Sequence, residues 1–239
     1  MKLPIKNRFV AGHALAKLLK ATIQDNKLGK DNTLVNKLGN NNDVIVLALP
    51  RGGVPIAFEI AMSIGAPLDL MVVRKLGLPT QPELAMGAIA KGGIKILNEE
   101  IIRSRGISDS ALNEIEEREK RELNRRLLAY RGNRPTPNLK SKLVILVDDG
   151  VATGACVRAA IQATRNLQAE RIIIAAPVVA SEAIDSLRKE VDHICCLASP
   201  SPFLSVGFWY NSFPQLKDHE VTALLNRAWR MIPTAEISA

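Results

Sequence analysis

Short apolar runs alternate along this chain with stretches whose apolar residues recur at helical spacing. Residues 44–49 (VIVLAL) are continuously apolar and stop at Pro50, the pattern of a strand buried on both faces. Ile56, Ile60 and Ile64 then fall on one face of a predicted helix over 54–64. Further strands are predicted over 67–73, 142–147, 171–179 and 192–197, with helices over 156–167 and 181–189. This alternation predicts an α/β fold of about five parallel strands flanked by helices. Such sheets bind ligands at the carboxyl ends of their strands.

Two segments depart from the alternation. Residues 86–97 (MGAIAKGGIKIL) are two apolar runs joined at Lys91-Gly92-Gly93, which predicts a hairpin. Residues 108–130 form a predicted helix dense in charge, with Glu114/Arg118, Glu116/Lys120, Glu117/Arg121 and Glu122/Arg126 spaced to pair across one turn. Its apolar stripe (Leu112, Ile115, Leu123, Leu127) is thin, so the expectation is a solvated arm or a dimer contact. The Pro-rich stretch 131–138 (RGNRPTPN) returns the chain to the core.

Composition narrows the class without naming a chemistry. The 239 residues are 47% apolar and 23% charged, as expected of a globular protein. No run approaches the roughly 18 apolar residues of a membrane span, and Lys2, Lys6 and Arg8 interrupt any signal-peptide core. Three cysteines, Cys195 and Cys196 adjacent among them, make no disulfide framework, so the expected compartment is the cytoplasm. The net charge of +8 is scattered rather than concentrated in a cationic run. It suits a phosphorylated small molecule as well as a nucleic acid, and nucleic acid is set aside as the principal partner.

The string KLVILVDDGVATGAC (142–156) carries the most chemistry. Asp148 and Asp149 stand where an apolar strand ends, and a loop with Gly150 and Gly154 leads into a helix. Paired carboxylates accept hydrogen bonds from vicinal hydroxyls and favour positive charge developing on a sugar ring. Successive backbone N–H groups from Ala152 to Cys156, at a helix N-terminus, suit an anion. Thr153 adds a hydroxyl, and Gly154 admits close approach. The combination predicts a cradle for a phosphorylated ribose. A second glycine-rich turn, Arg51-Gly52-Gly53, lies between the first strand and its helix and offers another anion nest.

Residues 144–156 resemble the binding signature for 5-phosphoribosyl 1-pyrophosphate (PRPP) of type I phosphoribosyltransferases: four apolar residues, two acids, then Thr-Gly and small residues. The likeness extends over about 43–213 and resembles an uncharacterised bacterial branch of that family. It implies the type I phosphoribosyltransferase fold with a flap hairpin, a long charged helix within an insertion at about 86–138, and a small C-terminal hood. The whole of 1–239 would be a single domain, its hood drawn from about 198–239 plus the N-terminal segment. By the resemblance, Asp148 and Asp149 take the ribose. Ala152, Thr153, Gly154, Ala155 and Cys156 take the 5-phosphate, and Arg51, Gly52 and Gly53 take pyrophosphate. Arg74 and Lys75, at the end of the second predicted strand, resemble the Arg-Lys pair that closes on pyrophosphate in orotate and adenine phosphoribosyltransferases. Residues 77–86 (GLPTQPELAM), including Glu83, have the character of a mobile flap.

The implied cofactor is Mg²⁺, held mainly by substrate and water near Asp148 and Asp149. The implied partners are PRPP and a nitrogenous base or nucleotide, with a homodimer as the expected assembly. The aromatic run VGFWYNSF (206–213) loosely resembles the purine enzymes and makes Trp209 and Phe208 candidates for stacking on the base. Two positions depart from the commoner pattern. Cys156 replaces the usual Thr or Ser, and Ala152 replaces the acid of enzymes for 6-oxopurines. The expected reaction is transfer of the phosphoribosyl group with release of pyrophosphate. The alternative is a regulator of the same fold that senses PRPP or a nucleotide and binds nucleic acid.

Overall fold

The structure, a computed structural model, describes residues 3–24, 43–81, 84–91 and 93–232. Five parallel strands form the central sheet: β1 (Val44–Ala48), β2 (Leu68–Leu70), β6 (Leu143–Val147), β7 (Arg171–Val178) and β8 (His193–Ala198). Their order is β2-β1-β6-β7-β8, so the strand predicted from 142–147 lies at the centre. Alternate residues serve opposite faces. Val44, Val46, Leu143, Ile145 and Ile173 face one core, and Ile45, Leu47, Val144, Leu146 and Ile172 face the other. The first core is covered by α1 (Arg8–Gln24), α2 (Gly53–Ile64) and α7 (Asp218–Met231). The second is covered by α5 (Ala155–Asn166) and α6 (Ser181–Leu187).

The strand predicted over 67–73 is two strands. Only Leu68–Leu70 joins the main sheet; after Met71 and Val72 the chain enters β3 (Val73–Gly77). β3 pairs antiparallel with β4 (Ala85–Ala90), which pairs with β5 (Ile94–Leu97), so the predicted hairpin is the outer part of a three-stranded sheet. A continuous apolar run cannot distinguish one buried strand from two short ones that change partners. Arg74 and Lys75 consequently lie within β3, not at a strand end.

The charged helix is α4 (Asp109–Arg131), capped by the Ser108 hydroxyl, which accepts from the Ala111 N–H. A short helix, α3 (Glu99–Ser104), precedes it. α4 is not a solvated arm. Leu112, Ile115, Leu123 and Tyr130 are buried in the first core, and three of its charged residues, Glu116, Glu119 and Arg131, are buried as well. Arg131 pairs with Asp69 at 2.6 Å, Glu119 with Arg74 at 2.6 Å, and Glu116 with Lys95 at 2.9 Å. Two of the predicted intrahelical pairs form, Glu116–Lys120 and Glu122–Arg126. Glu117 binds Lys120, and Arg118 binds its neighbour Glu119. The helix therefore uses its charges to hold other elements, which a helical-period count of apolar residues does not register.

The N-terminal segment meets the stretch that precedes α7. Ile5 donates to the Trp209 carbonyl at 2.7 Å, Asn211 donates to Ile5 at 2.8 Å, and Ser212 donates to Lys6 at 3.1 Å. Residues 206–213 are thus tied to the N-terminal segment above the carboxyl end of β6. Among the described residues, no helix is long and apolar enough to cross a membrane.

Candidate functional site

β6 ends at Val147, and the chain turns at once through Asp148 and Asp149. Val151 then bridges to Val179, so the loop stays pinned to the sheet edge. Gly154 has φ 78°, a left-handed conformation that glycine adopts freely, and α5 starts at the next residue. The first-turn N–H groups of α5 lack intrahelical acceptors. They border a cavity of about 260 Å³ lined also by Lys75, Asp148, Thr153 and Val206. The loop 152–156 and one of the two acids, Asp148, therefore share one concavity.

The Arg51–Gly53 turn packs directly onto this site. A Cβ on Gly52 would collide with the Asp149 carboxylate, and one on Gly53 would collide with the Val147 carbonyl. Glycine is required here for close approach: Gly52 itself has φ −64° and ψ −32°, open to any residue. The Pro50–Arg51 peptide is cis. The two glycine-containing turns, about a hundred residues apart in sequence, are thus in contact through Asp149.

Asp149 is held from three directions. The Arg8 guanidinium binds its Oδ2 through Nε at 2.9 Å and Nη2 at 2.8 Å. The Tyr210 hydroxyl donates to its carbonyl at 2.6 Å, and Gly52 lies against its carboxylate. Arg8 also donates to the Pro214 carbonyl at 2.8 Å and stacks 3.7 Å from the Phe213 ring centre. Asp148 is oriented by its neighbour, whose N–H donates to Asp148 Oδ1 at 2.8 Å. Burial raises the Asp148 carboxyl well above the ordinary range, and the adjacent Asp149 adds to the rise. Burial also raises Asp149, opposed by the charge and hydrogen bonds of Arg8.

The remaining predicted residues are divided. Ala152, Thr153, Gly154, Ala155, Cys156 and Lys75 line the cavity. Burial pushes the Cys156 thiol up to about 11, so it is a thiol rather than a thiolate at neutral pH. Arg51 turns its side chain away, donating to the Leu216 carbonyl at 2.8 Å and pairing with Asp218 at 3.0 Å. Arg74 is bound by Glu119 through Nε at 2.8 Å and Nη2 at 2.6 Å. Alternation along β3 separates it from Lys75. Glu83 lies outside the described residues. Phe208 is 58% exposed, and its ring meets Trp209 edge-on at 5.1 Å. Trp209 is half-buried, with its indole N–H buried and unpartnered.

A second cavity of about 480 Å³ shares Ala152 and Thr153 with the first, and its wall includes Arg158, Glu182, Pro202 and Phe203. Phe203 packs 6.1 Å from Trp209, so the aromatic residue on the cavity wall is Phe203, with Trp209 behind it. Four contributors escaped sequence reasoning: Arg8, Tyr210 as a hydroxyl donor, Phe203 as a wall, and Glu119. Tyr210 lies in the aromatic run 206–213, where its hydroxyl carried no signal; the other three sit in no motif, and Arg8 is 141 positions from the carboxylate it binds. Among the described residues, no group of three His, Cys, Asp or Glu side chains converges on one point.

Comparison with known proteins matches these features to a family. A sequence model of the phosphoribosyl transferase domain matches residues 31–198. Two Mycobacterium tuberculosis proteins that carry phosphoribosyl transferase names, MT0597 and Rv0571c, are each 43% identical over 187 residues. The alignments cover 78% of this chain but 42% of each relative, so the chain spans about two-fifths of their length. The crystal structure of TT1426 from Thermus thermophilus is similar with a TM-score of 0.72 at 34% identity, over 93% of this chain and 98% of that one. Arg8, Tyr210 and Phe213 lie outside the matched domain segment, whereas both glycine turns and the acid pair lie within it. With that segment covering most of its length, the chain belongs to the phosphoribosyl transferase family.

Proposed function

We propose that this protein transfers the 5-phosphoribosyl group of PRPP to a nitrogenous base, with release of pyrophosphate, as in nucleotide salvage. The observation that carries the reading is the contact between the Gly52 turn and Asp149 beside the loop of α5. PRPP bears a 5-phosphate, a ribose diol and a pyrophosphate in that order, and the same three recognition chemistries adjoin here.

The 5-phosphate sits on the loop 152–156, with the backbone supplying most donors because a thiol at Cys156 is a weak one. Asp148 and Asp149 accept from the ribose hydroxyls and stabilise positive charge at C1. Pyrophosphate lies on the 51–53 backbone with Lys75 nearby. The C1–O bond to pyrophosphate breaks with its electron pair leaving on that oxygen, a ring nitrogen of the base attacks C1, and the base gives up its proton. The 480 Å³ cavity, within the usual range of about 300–1,000 Å³ for small-molecule sites, receives the base against Phe203. Trp209 packs against Phe203, and Phe208 meets Trp209 edge-on. Ala152 supplies no acid, so protonation of a 6-oxopurine by that position is not available, and the acceptor is of another type.

The donor set suits Mg²⁺: a carboxylate at Asp148 faces the cavity, and among the described residues no dedicated cage competes with substrate oxygens and water. Asp148 would hold the metal together with substrate oxygens and water, and the metal would supply charge neutralisation for the departing pyrophosphate. One feature favours a second reading, a PRPP-sensing regulator that binds nucleic acid: Arg51 and Arg74 are both engaged by carboxylates. Incubation with PRPP, Mg²⁺ and a panel of bases, with pyrophosphate release as readout, separates the two. Release with one base class supports the transferase. Confirmed PRPP binding with no release for any base refutes it.

A further inference from the structure

We infer that Arg8 is a positioning residue for PRPP, acting through Asp149 to hold the ribose-binding carboxylate in place and to couple it to the hood. The inference rests on the function proposed above and adds to it a residue from outside the matched domain.

The geometry is specific. Arg8 is 7% exposed, and its guanidinium is committed on three sides: a forked contact to Asp149 Oδ2, a donation to the Pro214 carbonyl, and a ring face at Phe213. Both donors converge on the single oxygen Oδ2, so two charge-assisted hydrogen bonds hold that oxygen in place where a lysine would offer one point charge. The same segment is anchored by the Ile5 and Lys6 backbone bonds to residues 209–212, and Tyr210 from that stretch holds the Asp149 carbonyl. Asp149 in turn bonds Asp148 through its N–H, so fixing Asp149 sets both acids. One oxygen of each carboxylate is thereby occupied by the protein: Asp149 Oδ2 by Arg8 and Asp148 Oδ1 by the backbone.

A purely architectural role is the competing account, because the Pro214 and Phe213 contacts alone tie α1 to the hood. The two accounts differ in whether the effect of Arg8 passes through Asp149. If it does, removing Arg8 matters little once Asp149 has lost its charge; if not, the two losses add.

The test uses the full chain and PRPP with Mg²⁺ as the probe, measured by calorimetric titration, with thermal midpoints recorded for each variant. Arg8→Gln should weaken PRPP binding about tenfold or more, the equivalent of about 1.4 kcal/mol. Arg8→Lys, which keeps charge but loses the fork, should recover part of that, and it carries the test should Arg8→Gln fail to fold. In an Asp149→Asn background, the same Arg8 substitution should add less than about twofold. In turnover, KM for PRPP should rise more than kcat falls. Binding by either Arg8 variant equal to wild type overturns the inference, as does full additivity with Asp149→Asn. Failure of the wild-type chain itself to bind PRPP is a different result, and it overturns the proposed function together with this role.

Discussion

Replacing Gly52 by Ala puts a methyl group where the Asp149 carboxylate now lies. The backbone at Gly52 is in the ordinary helical region, with φ −64° and ψ −32°, so the substitution carries no torsional strain. Any loss is therefore steric. To relieve the clash the carboxylate must swing aside, which breaks its contacts of 2.9 and 2.8 Å to Arg8, or the turn must lift from β6. Overpacking a tight site costs about 1–3 kcal/mol, and each hydrogen bond to a charged group contributes about 1.5–3 kcal/mol net. A loss of about 1–3 kcal/mol in stability is expected, at about 2–4 °C of thermal midpoint per kcal/mol for a chain of this size. Ligand binding should suffer as well, because the proposed diol acceptor and the proposed pyrophosphate turn are both disturbed. PRPP affinity, measured by calorimetry with Mg²⁺, should fall about tenfold or more, corresponding to about 1.4 kcal/mol. A Gly52→Ala protein that binds PRPP as wild type and melts at the wild-type temperature would refute the contact between the two turns as the organiser of the site.

Other outcomes follow from particular contacts. Asp148→Asn combined with Asp149→Asn should abolish PRPP binding while leaving the fold intact; tight binding in that variant would mean the ribose lies elsewhere. Glu119→Gln releases Arg74 from a buried-carboxylate pair, and steady-state kinetics should show an altered KM for PRPP; an unchanged value would mean that Arg74 has no access to the ligand. Arg131→Ala leaves Asp69 buried without its partner, and urea unfolding should show a loss of about 3–5 kcal/mol. Burial already raises the Asp69 carboxyl. Without Arg131 it rises further, so the deficit should shrink as pH falls and Asp69 takes a proton. Cys156→Ser supplies a stronger donor to the phosphate loop and should tighten PRPP binding by about 0.5–1.5 kcal/mol. In the wild-type protein, alkylation of Cys156 should be slow at neutral pH and accelerate as pH rises toward about 11, with mass spectrometry identifying the site.

Much of the frame was legible because it depends on local patterns. Five strands and the helices between them announce themselves as apolar runs and 3.6-residue periods, and all five lie in one parallel sheet. The DDGVATGAC segment was legible for a similar reason: strand end, acid pair, glycine turn and helix start are consecutive, so one window of sequence contains the whole strand–turn–helix unit that borders the cavity. The boundary between β2 and β3 was not, since the apolar run continues through the point where the chain changes partner. The role of α4 was misjudged on the same ground. Its polar face is as much a contact surface as its apolar stripe, with Glu119 and Arg131 buried against β3 and β2.

By itself, then, the sequence determined the sheet, the loop that leads into α5 and the two glycine turns, because each is written in adjacent residues. Only the tertiary structure decided that the two turns touch, that Arg74 faces Glu119 while Lys75 faces the cavity, and that Asp149 is held by Arg8 and Tyr210. These contacts join residues 45 to 141 positions apart. Ion pairing and steric fit depend on distance in space, and no periodicity along a chain encodes which remote side chain will arrive there.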